Sequence, residues 1–270
     1  MRVPLSFPVF VVAVFSLASQ SARAQALPDS ARLPRPAAVS QLAFEKTTRC
    51  AQPFGMHEGQ FFEYQLLDGR GKPAGTWRYR VVKIKQDSVA VKKKKPVAIT
   101  TVLLKSGLYD LSNRVLAQQD LTHFCRNDTT FTDGLAYINY ESLKSFRGRR
   151  LAYQATPLAW PTQPTAGTSL AEGGVAIQVS SPSVAIAKVR TVVRQRTVMP
   201  GTTLITVPAG TFSCYTVEGQ QEASTAARAD LVFRNNGREV CYYDPAVGIV
   251  KTELYDKNRK LVQTKVLTKH

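Results

Sequence analysis

His123 and Cys125, two residues apart in Leu-Thr-His-Phe-Cys (121–125), have the residue types of a nucleophilic thiol and its base. Such a pair works only if the thiol is free and a third group orients the imidazole. In a β-strand, residues i and i+2 share a face whatever their chemistry, so strand geometry alone accounts for the spacing. His57, in Gly-Met-His-Glu-Gly beside Glu58, is a second candidate base. Carboxylate pairs of the kind used in glycoside hydrolysis could be drawn from Asp68 with Asp256 or Glu63 with Glu253. Each lies on or beside a turn, and nothing in the sequence sets their separation. No G-x-S-x-G, H-E-x-x-H, Walker loop or G-x-G-x-x-G occurs, and Gly69-Arg70-Gly71-Lys72 reads as a hairpin tip rather than a phosphate loop. The expectation is a non-enzymatic protein with no cofactor and no metal. A hydrolase using Cys125 with His123 or His57 is the weaker alternative.

The four cysteines, Cys50, Cys125, Cys214 and Cys241, contain no C-x-x-C, which removes the common zinc and redox-dithiol patterns. An even number in an exported chain indicates disulfides, with three possible connectivities. Cys214 and Cys241 each sit in a strand-like run and are each followed by tyrosine, so a Cys214–Cys241 bridge is the first choice, leaving Cys50–Cys125. The remaining resource is aromatic. Phe62, Tyr64, Trp77 and Tyr79 cluster in one apparent hairpin, and Tyr215, Phe233 and Tyr243 in the last third. They suit the wall of a cavity that holds lipid or another apolar ligand, although strand packing calls on the same residue types.

Those side chains need a scaffold, and the chain begins with a signal for its compartment. An apolar run from Val9 to Ala18 precedes Ala22-Arg23-Ala24, a small-x-small cleavage pattern, so residues 1–24 read as a secretory signal with the mature chain starting at Gln25. The run is shorter than the roughly 20 apolar residues needed to cross a bilayer. A periplasmic or secreted product is expected, not an integral membrane protein. The formal net charge of the whole chain is +17, and +15 once Arg2 and Arg23 are removed, with 34 basic against 19 acidic residues. That balance favours anionic surfaces, which for an exported protein means envelope components rather than nucleic acid. Lys92 to Lys95 form the densest run and read as a loop or strand edge that resists self-pairing.

Residues 25–48 are rich in proline and alanine and read as a flexible N-terminus. Residues 49–270 read as a single antiparallel β domain. Gln60–Leu67 and Thr76–Ile84 alternate polar and apolar residues around Asp-Gly-Arg-Gly-Lys-Pro-Ala-Gly, a hairpin pattern. The strand spanning 183–198 changes face near its middle, which calls for a bend or bulge. Residues 202–268 break into short strands separated by turn signals, among them Pro208-Ala209-Gly210 and Asn235-Asn236-Gly237, so a meander is expected. Residues 134–146 place Leu135, Ile138, Ser142 and Phe146 at helical spacing, and 155–170, with three prolines, reads as a loop between two halves of one sheet.

Cys50, the stretch FFEYQLLDGRGKPAGTWRYRVV, LTHFCRNDTTFTDG, TVPAGTFSCYTVEG and REVCYYDPAVGIVKTELYDKNRKL together resemble the TapB-like family of uncharacterised exported bacterial proteins, which carry a domain of unknown function. The resemblance covers nearly all of the chain from about residue 50. It implies a half-open β-barrel similar to the lipoprotein carriers LolA and LolB, a curved antiparallel sheet around an apolar cavity with at most one or two short helices. It implies no catalytic residue. The combined expectation is an exported β protein that binds an apolar or amphiphilic envelope component, with a structural or interaction module lacking a small ligand as the alternative.

Overall fold

The computed structural model describes residues 52–91, 94–228 and 231–270, all within the compact unit Glu45–His270. The signal segment, residues 25–48, Cys50 and the centre of the lysine run at 92–93 lie outside the described residues.

Fourteen strands form one antiparallel sheet. In chain order they are β1 (Phe61–Asp68), β2 (Pro73–Val91), β3 (Lys94–Tyr109), β4 (Val115–Arg126), β5 (Thr129–Thr132), β6 (Arg150–Thr156), β7 (Leu158–Pro161), β8 (Ser169–Leu170), β9 (Gly173–Ser180), β10 (Ala185–Val207), β11 (Gly210–Arg228), β12 (Leu231–Asp244), β13 (Gly248–Asp256) and β14 (Leu261–Lys269). The lateral order is β6-β9-β10-β11-β12-β13-β14-β1-β2-β3-β4-β5-β7, with β8 paired to β10. Most neighbours are hairpin partners, as short connections favour. The long-range junction is β1 with β14, where Tyr64 lies opposite Leu267 and Asp68 opposite Gln263.

The sheet curls into a nearly closed barrel with one unsealed seam. Its two edges, β6 and β7, are consecutive in sequence and separated only by Pro157. The first half of this segment pairs with β9 and the second half with β5, so the chain steps from one edge of the sheet to the other at a residue with no N–H to donate. The expected loop at 155–170 is therefore confined to 162–168, with β7 taking Leu158–Pro161. Pro157 and Pro161 misled because edge strands tolerate proline where central strands do not.

Inside the barrel one apolar cluster runs from Phe54 and Met56 through Phe62, Leu104, Leu121 and Trp160 to Tyr243 and Leu267. A second cluster packs Ile138 against Val175, Ile177, Val179, Ala187 and Val189 of β9 and β10. Ile138 belongs to the segment joining β5 to β6. That segment carries a 3-10 turn at Gly134–Tyr137, the single α-helical turn α1 (Tyr140–Leu143) and a second 3-10 turn at Lys144–Phe146, in place of one continuous helix. Asp133 and Asn139 each cap a turn by accepting from a backbone N–H two or three residues on, which restarts the helix rather than extending it. Gly134 lets this segment press against the seam: a Cβ there would lie 2.1 Å from the Gly174 carbonyl oxygen and 2.5 Å from that of Thr156.

The face change in the long strand sits at Gln195, whose φ of 49° interrupts the β10–β11 register between Arg194 and Thr197. Asn235-Asn236-Gly237 makes no turn. It lies within β12, with Gly237 opposite both Gln221 and Asp256, and the reversal comes earlier, between Arg228 and Leu231.

Candidate functional site: a half-apolar cavity in the barrel

Alternation along β1, β2, β3, β4, β13 and β14 sends one parity of each strand inward, and these side chains do not meet at the centre. They enclose a cavity of about 450 Å³, within the range of about 300–1,000 Å³ usual for small-molecule sites. Phe62, Tyr64, Trp77 and Tyr79 of the first hairpin line it. The rings of Tyr64 and Tyr79 meet edge to face at 5.6 Å, and Trp77 stacks on Tyr79 at 6.2 Å. The indole N–H of Trp77 donates to Ser106 Oγ at 2.7 Å, which satisfies its polar edge and holds the ring flat to the wall.

The other three aromatic candidates lie elsewhere. Tyr215 and Tyr243 fill the opposite end of the barrel, where Tyr243 packs against Trp160 and Tyr215 and donates its O–H to the Pro161 carbonyl at 2.8 Å. Phe233 stands 66% exposed on the β11–β12 hairpin. The two hairpins place similar residues in different surroundings because β11 and β12 run well past the cavity.

The wall that continues from the aromatic hairpin through β14 and β13 to β12 carries the polar groups. Glu239 of β12 is buried, and its carboxylate accepts from Tyr137 O–H (3.0 Å), Gln221 Nε2 (3.2 Å) and Cys241 S–H (3.3 Å). Burial raises the Glu239 pKa, with those donors and the Lys265 and Arg196 charges working against the rise. Cys241 also contacts Thr252 Oγ1 at 3.7 Å, and burial next to Glu239 holds its thiol well above the usual range, so it is no nucleophile. Lys265 faces Thr252 across the β13–β14 ladder. Its ammonium lies 5.2 Å from the centre of the Tyr64 ring, and among the described residues it makes no hydrogen bond or ion pair. Burial lowers its pKa, while Cys241 and Glu239 act to raise it.

His123 shares the cavity. Its Nδ1 accepts from the Asp133 backbone N–H at 3.2 Å, which puts the proton of the neutral ring on Nε2. Burial is the main force pushing its pKa down to about 4, opposed by a hydrogen bond with the Thr122 backbone and assisted by the Lys265 charge. Its neighbour Cys125 is buried at the end of β4 and is not among the free thiols. A thiol–imidazole nucleophile is therefore not assembled. His57 is exposed, its backbone N–H bonded to Gln60 Oε1. Neither carboxylate pair forms a site. Glu63 is ion-paired to Arg78 at 2.9 Å and Glu253 to Lys251 at 2.6 Å, while Asp68 and Asp256 each accept two backbone N–H bonds within their own turns. Among the described residues no three His, Cys, Asp or Glu side chains converge as metal ligands would.

The expected Cys214–Cys241 bridge is absent: both are buried free thiols. The strand register explains this. Val217, not Cys214, lies opposite Cys241, and an offset of three residues puts the two side chains on opposite faces of the sheet. Burial pushes the Cys214 thiol up to about 12.

Sequence reading passed over two further groups. Glu239, Gln221 and Lys265 looked like ordinary alternating surface residues, and only the curl of the sheet turns them inward. Arg196 is 1% exposed behind the cavity, with its guanidinium 4.6 Å from the Trp160 ring and donating to the carbonyls of Ala159 (2.9 Å) and Ala171 (3.2 Å). Gly219 on β11 makes room for it, since a Cβ there would come within 3.2 Å of Arg196 Cγ.

Three turns at the cavity end share one design. Asp68, Asp110 and Asp256 each accept through Oδ1 from the backbone N–H groups two and four residues on, and the fifth residue is Lys72, Arg114 or Lys260. Leu111 and Leu116, beside the middle turn, are 70% and 58% exposed.

Solved structures share this fold. A protein from Parabacteroides distasonis ATCC 8503 described as a "putative lipoprotein" is 20% identical, with a TM-score of 0.64 over 82% of this chain and 99% of that one. A Bacteroides fragilis NCTC 9343 protein described as a "putative exported protein with YmcC-like fold" is 16% identical, with a TM-score of 0.58 over the same shares. No curated protein matches the chain. The match to a family model over residues 57–267 spans the aromatic hairpin, the polar wall and the closing strand β14, and by it the chain belongs to the DUF3108-like family.

Proposed function

We propose that this chain is exported and acts without catalysis, holding an apolar or amphiphilic component of the cell envelope inside its barrel. The observation that carries the reading is the cavity itself: about 450 Å³ left open between aromatic and aliphatic walls in a barrel whose other end is tightly filled. Apolar walls that face an open volume forgo packing contacts, and an apolar guest restores them. Cleavage near Ala24 and a periplasmic or secreted location follow from the first 25 residues, and the descriptions of the two solved neighbours agree with export. Kinship with the TapB-like proteins, and carrier action like that of LolA and LolB, fit a nearly closed barrel with an internal cavity.

The positive charge has a matching place. Arg70, Lys72, Arg114, Lys257, Arg259 and Lys260 sit on the three aspartate-braced turns at the cavity end, where they would hold the opening against an anionic envelope surface. We also propose that Cys50 pairs with Cys125 and anchors the N-terminal side of the barrel. Denaturing, non-reducing thiol titration of the mature protein should then find two free thiols, Cys214 and Cys241; four would remove the bridge. For the ligand, native mass spectrometry with organic extraction should recover an apolar small molecule from freshly purified protein. Protein that emerges empty and takes up no apolar probe afterwards would overturn the reading.

A further inference from the structure

We propose that the cavity takes a single-chain amphiphile with a monoanionic head, the class of free fatty acids, and that Lys265 recognises the head. The inference rests on the reading above that the cavity is a binding site, and it adds what the guest must carry. Lys265 is half-buried in the cavity wall, and an ammonium drawn partly out of water is costly unless something compensates it. Here the face of Tyr64 at 5.2 Å is the close partner of Lys265 among the described residues, and no hydrogen bond or ion pair reaches its Nζ. Glu239 is on the same wall, but Tyr137, Gln221 and Cys241 already occupy its oxygens, and it makes no ion pair with Lys265.

The His123 imidazole lines the same space, hydrogen-bonded to the Asp133 N–H and the Thr122 backbone, and it feels the charge of Lys265. The polar end of the cavity thus presents a cation with no hydrogen bond or ion pair among the described residues, while its one buried carboxylate is already bonded. That set fits an incoming acceptor with negative charge. One ammonium balances one negative charge, so a carboxylate is matched, whereas a phosphate dianion would leave charge uncompensated among apolar walls. The volume, toward the lower end of the usual range of about 300–1,000 Å³, suits one alkyl chain rather than the two of a phospholipid. Phe62, Trp77, Tyr79 and Leu104 supply the walls for that chain.

The test compares dodecanoate with dodecan-1-ol, which share a chain and differ in the head. Calorimetric titration of the delipidated mature protein should show dodecanoate binding at least about tenfold more tightly than the alcohol. Lys265→Met should erase that preference while leaving dodecan-1-ol affinity within about twofold, and Ala136→Phe, which intrudes on the cavity, should weaken both. Circular dichroism melts establish that each variant folds. Equal affinity for the two probes in the unaltered protein, or a preference that survives Lys265→Met, overturns the head-group assignment and leaves the cavity reading standing. Failure of both probes to bind the folded, unaltered protein overturns the cavity reading itself.

Discussion

Arg196 and Lys265 are both cationic side chains turned into the barrel, and they are provided for in opposite ways. Arg196 is enclosed at the filled end, its guanidinium over the Trp160 ring and bonded to two carbonyls, with Gly219 clearing space for its stem. Lys265 reaches the open end, where an aromatic face is its close partner. A planar fork with several fixed donors suits joining strands, whereas a point charge on a flexible stem suits meeting something that arrives later. The contrast separates a cation that holds the protein together from one kept available.

That separation can be broken by substitution. Arg196→Met should cost about 2 kcal/mol or more, because the buried guanidinium's bonds to the Ala159 and Ala171 carbonyls are lost and Trp160 loses its cover; urea unfolding measures it, and a change below about 1 kcal/mol would remove its bracing role. The next effect is a pH dependence. The folded-state pKa of His123 is depressed to about 4, below its ordinary value, so its contribution to stability is present above about pH 6.5 and is lost as pH falls toward 4. A depression from 6.5 to about 4 corresponds to roughly 3 kcal/mol. His123→Gln, which keeps an acceptor for the Asp133 N–H but cannot titrate, should therefore lose about 2–3 kcal/mol less than the unaltered protein between pH 7 and pH 4.5. An unchanged acid slope would mean that the ring is hydrated in solution. The smallest expected effect is that of Lys265→Met on the ligand-free protein: a change in unfolding free energy of less than about 1 kcal/mol in either direction, since a half-buried cation with no hydrogen bond or ion pair among the described residues leaves the wall. Marked destabilisation would place Lys265 with Arg196 as a structural cation.

Much of this architecture was legible in local pattern. The first hairpin, its tight Asp68–Lys72 turn, the face change in β10 and the succession of C-terminal strands follow from alternation and turn chemistry, which act over a few residues. What escaped depends on register and curvature. Cys214 and Cys241 have the right types and a sensible spacing, but a bridge requires registered neighbours, and Val217 takes that place. Pro157 suggested a loop because it breaks interior strands, yet here it joins two edges. Of the seven aromatic candidates, the four on β1 and β2 line the cavity, while Tyr215, Tyr243 and Phe233 are set by how far β11 and β12 extend beyond it. The polar wall was invisible for a related reason. Glu239 and Lys265 alternate with apolar neighbours just as solvent-facing residues do, and the sign of the curl, which no single strand encodes, decides which parity meets water.

The step at Pro157 also bears on how the molecule avoids its own kind. An open sheet of many strands has two separate borders at which a second copy could add by backbone pairing. Here both borders belong to one continuous stretch, Arg150 to Pro161, so they lie along a single line rather than on opposite flanks. That line is interrupted by a residue that cannot donate, and it begins beside the basic Arg147, Arg149 and Arg150, whose like charges repel an approaching copy. The terminal strands of the sheet thus offer a short, charge-guarded template for strand addition, which disfavours edge-to-edge pairing along Arg150–Pro161.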